Sequence, residues 1–174
     1  YQRSNGGWRE NEDPLRILSP EERERILADK DKLDTSLDNR NGWPQVEYLA
    51  GAYGLTGDER YREACLRGLE FILQAQHPSG GFPHSWPSQE GYRPHLTFAD
   101  DILPDILRTL RSVATGTGPL GFVDEVTRGR AAEACSIPAC PRPACRASIP
   151  FMARFTIASS RLRCSACRSC MDIR

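Results

Sequence analysis

At 174 residues the chain is long enough for one domain with a buried core, and its formal net charge of zero hides an uneven distribution. From Cys135 to the end seven arginines face one acid, a local charge of +6, so residues 1–134 carry −6, and an acidic body argues against a nucleic-acid surface. No apolar run is long enough to span a membrane and no signal peptide is visible, while the absence of an opening Met is what an internal fragment shows.

In chain order, Asn5-Gly6-Gly7-Trp8 reads as a turn with an aromatic behind it. Ser19-Pro20-Glu21-Glu22 is a capping box with proline at the first helical position, which predicts a helix from Pro20 to about Lys32. Ser36 to Gly42 is a polar loop in which acids and amides gather. From Pro44, the spacing of Val46, Leu49, Ala50 and Tyr53 predicts a helix ending near Gly54. Thr56-Gly57-Asp58 turns the chain, and Tyr61, Cys65, Leu69, Ile72, Leu73 and Gln76 mark one face of a long helix. Such short-looped, antiparallel helix pairs predict an all-α fold. Cys65 on that apolar face reads as a buried, inert thiol.

One internal echo supports a repeat. Gln2-Arg3-Ser4-Asn5-Gly6-Gly7-Trp8 and Gln76-His77-Pro78-Ser79-Gly80-Gly81-Phe82 share Gln, three residues, Gly-Gly and an aromatic. Each is expected to close a helix end, with glycine supplying positive φ and the ring plugging the interior. Repeated hairpins of this type are the pattern of an α/α toroid, here an incomplete one.

The stretch Gly91-Tyr92-Arg93-Pro94-His95 leads into Asp100-Asp101, followed by a helical run of Ile102, Ile106, Leu107, Leu110 and Val113. Either aspartate suits a helix N-cap beside the positive end of the helix dipole. Adjacent carboxylates equally suit a hard divalent cation that takes oxygen ligands. Trp8, Trp43 and Trp86 are candidates for stacking on sugar faces, against the commoner role of a core plug. Arg93 and His95 are candidates for pairing with substrate carboxylates, against ordinary loop hydrogen bonding. His77 and His84 sit in no spacing that suggests a metal.

After Glu133 the character changes. Cys135, Cys140, Cys145, Cys164, Cys167 and Cys170 crowd into a segment with four prolines, seven arginines and no lysine. Cys164-x2-Cys167-x2-Cys170 invites a metal reading and six cysteines a disulfide one, but the spacing is not a paired CxxC set, and histidine is absent. The favoured reading divides the chain into residues 1–134, a partial catalytic domain, and 135–174, a disordered tail or an out-of-frame translation of GC-rich sequence.

Taken together, Tyr1 through Trp8, Leu37-Asp38-Asn39, Leu55 through Tyr61, Gln76 through Pro83 and His95 through Asp101 resemble the family 10 pectate lyases in order and spacing. Ala99, where the family usually has Asn, and Arg40 to Trp43 after the Asp-Asn pair depart from its pattern. The resemblance implies calcium-dependent β-elimination on polygalacturonate, with Asp38, Asn39, Asp100 and Asp101 as metal ligands, Asp101 alternatively as the helix cap. Arg93, His95, Trp86 and Trp43 are the corresponding substrate-binding candidates. A bound Ca²⁺ stabilises the charge that builds on the uronate carboxylate as the C5 proton leaves.

The family's arginine base lies in a half of the module that this chain does not match. The catalytic residue is therefore unassigned and the chain is expected to be inactive as it stands. A secreted or periplasmic monomer without nucleic-acid or membrane partners is implied by the same resemblance. The alternatives are an isoprenoid cyclase or prenyltransferase toroid, suggested by Asp100-Asp101-x3-Asp105 and the Gln-x3-Gly-aromatic loops, and a non-catalytic uronate-binding remnant.

Overall fold

The computed structural model describes residues 1–13, 16–98 and 101–136. Those residues belong to one compact unit, Tyr1–Ser136, and the expected cysteine-rich tail lies outside them apart from its first two residues. The expected all-α class holds: the strands among the described residues are the two-residue pair β1 (Trp8–Arg9) and β2 (Thr35–Ser36).

Helix α1 (Pro20–Ala28) begins as the capping box predicts. Ser19 Oγ accepts from the Glu22 N–H at 3.2 Å, and Glu22 Oε2 accepts from the Ser19 N–H at 2.9 Å. It stops short of the expected Lys32: the Lys30 N–H donates to the Leu27 carbonyl and the Lys32 N–H to that of Asp29, three residues back rather than four, and another segment bonds the carbonyls just beyond the helix end. The Asp29 carbonyl accepts from Arg3 Nη1 at 2.7 Å and the Lys30 carbonyl from the Ser4 N–H at 2.9 Å. Arg3 is itself buried and held by the Asp34 carboxylate through two 2.8 Å bonds.

Helices α2 (Trp43–Thr56) and α3 (Glu59–Ala75) form a hairpin across a two-residue turn. Gly57 supplies the turn with φ 67°, a left-handed conformation that costs glycine little, and the Asp58 carboxylate caps α3 by accepting from the Arg60 N–H at 2.9 Å. Cys65, Leu69, Phe71 and Ile72 of α3 are fully buried. Helix α4 (Ile102–Thr115) is the most one-sided element, with Ile102, Ile106, Leu110 and Val113 on its buried face. Each such side chain contributes roughly 1.5–3 kcal/mol on leaving water. Pro104 falls in the first turn, where the missing N–H is one of the groups without an intrahelical partner.

A 3₁₀ turn (Gly118–Phe122) leads to α5 (Glu125–Ala134), which pairs with α4. Neither was anticipated from sequence, because α5 buries only Ala131 and Ala134 and so shows no apolar period. Thr109 Oγ1 donates to Glu47 Oε1 at 2.6 Å, tying α4 to α2, and Arg130 Nη1 donates to Glu70 Oε2 at 2.5 Å, tying α5 to α3. The two hairpins thus pack helix against helix.

The sequence echo is a structural repeat. In both copies the first residue after Gln donates its N–H to the second glycine (Arg3 to Gly7 at 2.8 Å, His77 to Gly81 at 2.9 Å). In both the first glycine has positive φ, 89° at Gly6 and 92° at Gly80. Gln2 Nε2 donates to the Gly6 carbonyl and to Ala64 O of α3, while Gln76 Nε2 donates to the Gly80 carbonyl and to Ala134 O at the end of α5. The glycines also permit close approach: a Cβ on Gly7 would lie 2.5 Å from the Phe71 ring.

Candidate active site

The loops that follow these elements meet at one place. β1 pairs antiparallel with β2, placing Trp8 opposite Ser36, and Ser36 in turn bridges Ser85. Three chain segments are therefore laid side by side, and each delivers a polar side chain just beyond its pairing: Glu10, Asp38 and His84. One ligand atom from each lies within 4.8 Å of the others.

His84 Nε2 lies 3.1 Å from Asp38 Oδ2, and the two side chains are only 11% and 14% exposed. His84 Nδ1 is 2.7 Å from Ser85 Oγ, and Ser85 Oγ is 3.3 Å from Ser36 Oγ. Ser36 Oγ donates to the His84 carbonyl at 2.9 Å, and the Leu37 N–H donates to the same carbonyl at 2.9 Å. Arg93 arrives from the loop before α4, its Nη1 3.6 Å from Glu10 Oε1 and 3.4 Å from Ser85 Oγ. The Tyr92 ring stands edge-on to His84 with centroids 5.1 Å apart. Two acids, an imidazole and a guanidinium thus share a half-buried corner, where charge interacts more strongly than in open water.

The other expected site residues divide. Asn39 is exposed beside Asp38, with φ 51°, and its amide nitrogen donates to Asn11 Oδ1 at 3.3 Å. Asp100 lies outside the described residues. Asp101 occupies the N-cap position of α4, but its φ of 58° leaves it with no side-chain capping hydrogen bond, so the expected carboxylate cap is not made there. Trp86 is half-buried, edge-on to Phe71 at 5.6 Å, and its carbonyl accepts from Thr35 Oγ1. Trp43 is 3% exposed at the start of α2, and that burial favours the core-plug role over sugar stacking. His95 is exposed on the same loop as Arg93.

Glu10 was not singled out from sequence, and His84 was set aside for want of a partner. Both join Asp38 from loops far apart in the chain, which no local spacing announces. Two shallow depressions elsewhere, one lined by Ala114, Arg128 and Ala132 and one by Glu47, Ser112 and Leu120, share no residue with this corner.

The family model of the pectic acid lyases matches residues 2–137. This chain belongs to the pectic acid lyase family. Among solved structures it is similar to a mutant of a family 10 polysaccharide lyase from Cellvibrio cellulosa in complex with trigalacturonic acid, with a TM-score of 0.68 and 24% identity. It is also similar to a family 10 polysaccharide lyase from the same organism, with a TM-score of 0.65 and 24% identity. In both cases 78% of this chain is covered and it spans 40% of the other. No curated protein matches the chain. The fold is accordingly part of an α/α toroid, and the family match favours a polysaccharide lyase over the isoprenoid cyclase alternative.

Proposed function

We propose that this chain is the N-terminal part of a calcium-dependent pectate lyase that cleaves polygalacturonate by β-elimination. The observation that carries this reading is the convergence of Asp38 with Glu10, His84 and Arg93, in a chain whose family acts on pectic acid. The donor set fits a hard cation on one side: Glu10 and Asp38 offer carboxylate oxygens, and Asn39, whose amide nitrogen is engaged by Asn11, has its amide oxygen to offer. Asp38, Asn39, Asp100 and Asp101 are the proposed holders, with Glu10 added.

When bound, calcium supplies positive charge against the uronate carboxylate at which negative charge develops. The chain's own residues orient the substrate. Arg93 is half-buried and already engaged with a carboxylate, so a substrate uronate can exchange with Glu10 for its guanidinium. His95, exposed on the loop that carries Arg93, and the half-buried Trp86 are the further proposed contacts. His84 holds Asp38 in place, and its burial keeps water from that side. In the reaction the C5 proton leaves, a double bond forms between C4 and C5, and the C4–O bond to the leaving sugar breaks. The base that takes the proton is not assigned to any described residue.

A polymeric substrate places the site of action outside the cytoplasm, secreted or periplasmic, and no helix among the described residues is long and apolar enough to cross a membrane. The test is absorbance of unsaturated product on polygalacturonate at alkaline pH with and without Ca²⁺, run beside pectate affinity electrophoresis. Calcium-dependent product supports the full reading. Calcium-dependent binding without product supports the uronate-binding remnant. Neither response would sink both.

A further inference from the structure

The backbone of His84 is pinned on one side and its ring on another. Its carbonyl accepts from Ser36 Oγ and from the Leu37 N–H, both at 2.9 Å, and the Tyr92 ring stands edge-on to the imidazole. The hydroxyl protons nearby then decide which ring nitrogen donates. Ser36 spends its proton on the His84 carbonyl, and its oxygen accepts from the Asp38 N–H at 3.0 Å. Ser85 is buried, and its one hydroxyl proton has two acceptors in reach, His84 Nδ1 at 2.7 Å and Ser36 Oγ at 3.3 Å. The shorter contact takes it. Nδ1 is therefore an acceptor, and the ring proton sits on Nε2, which donates to Asp38 Oδ2 at 3.1 Å. Arg93 Nη1 donates to the Ser85 oxygen at 3.4 Å, so each donor in the row Arg93, Ser85, His84 points toward Asp38.

We propose that Ser85 is a positioning residue for the cation site, acting through His84: its hydroxyl fixes the Nε2–H tautomer that holds the Asp38 carboxylate. Ser36 fixes the backbone of Asp38 and Ser85, by way of the imidazole, its side chain. Serines from two neighbouring segments thus set both ends of one ligand. The bond from Nε2 engages Oδ2 and leaves Oδ1 for a cation. Hydrogen-bond partners of a ligating carboxylate orient it and tune its affinity for metal. Without the Ser85 hydroxyl, Nδ1 becomes a buried acceptor with no donor, and the ring loses the bond that sets its orientation. This role rests on the calcium reading of Asp38, and Ser85 acts at one remove from the cation.

The test uses the full chain without polysaccharide at mildly alkaline pH. Side-chain nitrogen NMR, assigned by comparison with His77→Ala and His95→Ala at exposed positions, should show His84 protonated at Nε2 and unprotonated but hydrogen-bonded at Nδ1. Ser85→Ala should move the Nδ1 resonance toward that of an unbonded nitrogen and speed exchange of the Nε2–H with water. Calorimetry with Ca²⁺ should show affinity lower by roughly 10–100-fold in Ser85→Ala. Circular dichroism checks folding; should Ser85→Ala fail to fold, the tautomer of the parent decides alone. A parent protonated at Nδ1, or a folded Ser85→Ala with unchanged Ca²⁺ affinity, overturns the proposal. So does a loss of affinity with the His84 resonances unmoved, which would mark general loosening. A parent with the Nε2–H tautomer that binds no Ca²⁺ removes the calcium reading, and this role with it, and so sets that failure apart from the others.

Discussion

Gln76 does for α5 what Gln2 does for α3: each side-chain amide bridges its own Gly-Gly turn and a carbonyl of a packed helix. The distances agree to within 0.1 Å for each pair of bonds, 2.8 and 2.9 Å to the glycine and 2.9 and 2.8 Å to the helix. Ala134 is the last residue of α5, so its carbonyl has no intrahelical donor and Gln76 supplies one. Gln76→Ala strands two partly buried carbonyls and should cost about 1–3 kcal/mol. Urea unfolding should show a lower midpoint with an unchanged slope; an unchanged midpoint would mean the clamp carries no stability.

Within the same turn, Gly6→Ala is expected to be worse than Gly7→Ala. At Gly6 a new Cβ meets the backbone carbonyl of Arg67 at 2.2 Å and the φ of 89° is itself unfavourable. At Gly7 the obstacle is the Phe71 ring at 2.5 Å, which has some freedom to move, and overpacking of that kind costs about 1–3 kcal/mol. Thermal melts of the two variants settle the order.

Asp38→Ala should abolish calcium-dependent handling of pectate, by at least ~100-fold in product formation if the chain is active. The same loss should appear in binding if it is not. Affinity electrophoresis on polygalacturonate, with and without Ca²⁺, reads this directly. Retained calcium-dependent binding in a folded Asp38→Ala variant would remove Asp38 from the site.

Burial pushes the Cys65 thiol up to about 12, so the reactive thiolate is scarce at any pH where the protein is handled. Iodoacetamide at mildly alkaline pH should leave Cys65 unmodified in the native chain and label it once denaturant is added, as followed by peptide mass spectrometry. Prompt native labelling would contradict the buried placement.

Arg130 holds the Glu70 carboxyl below the usual carboxylate range through a direct hydrogen bond, aided by Gln74. A depressed folded value means the stabilisation is present above the unfolded carboxylate range, near pH 4, and is lost as pH falls through the folded value. Both side chains are over two-fifths exposed, so the pair is worth only about 0–1 kcal/mol. Arg130→Ala should lower the melting temperature slightly near neutrality, with the difference from the parent shrinking below about pH 4.

Much of the helical frame was legible because its signals are local. Ser19 and Glu22 announce α1, Gly57 and Asp58 announce the turn into α3, and the spacing of Ile102, Ile106, Leu110 and Val113 announces α4. Helix α5 was missed because two alanines make no stripe. The end of α1 was misplaced because the chain tightens into three-residue turns after Ala28, beside the contacts that Arg3 and Ser4 of a distant segment make to Asp29 and Lys30, and no local residue signals this. Of the candidate site, Asp38 was nominated from sequence through its match to the family pattern. Its partners Glu10 and His84 were not, since their proximity is created by strand pairing between loops and leaves no trace in spacing. Asp101 stands at the expected helix start, but its left-handed backbone withholds the capping bond that sequence alone suggests.

Ser36, paired to Trp8 on one side and to Ser85 on the other, has a consequence for how this part of the family can vary in sequence. The three acid- and imidazole-bearing segments are aligned through that one residue, like teeth on a common gear. A single-residue insertion or deletion between Trp8 and Glu10, Ser36 and Asp38, or His84 and Ser85 shifts a side chain by about 3.3 Å along the chain and turns it to the opposite face. Length changes should therefore be purged from these few positions, while the exposed turn around Ser88 to Gly91, outside the alignment, is free to lengthen and reshape the entrance.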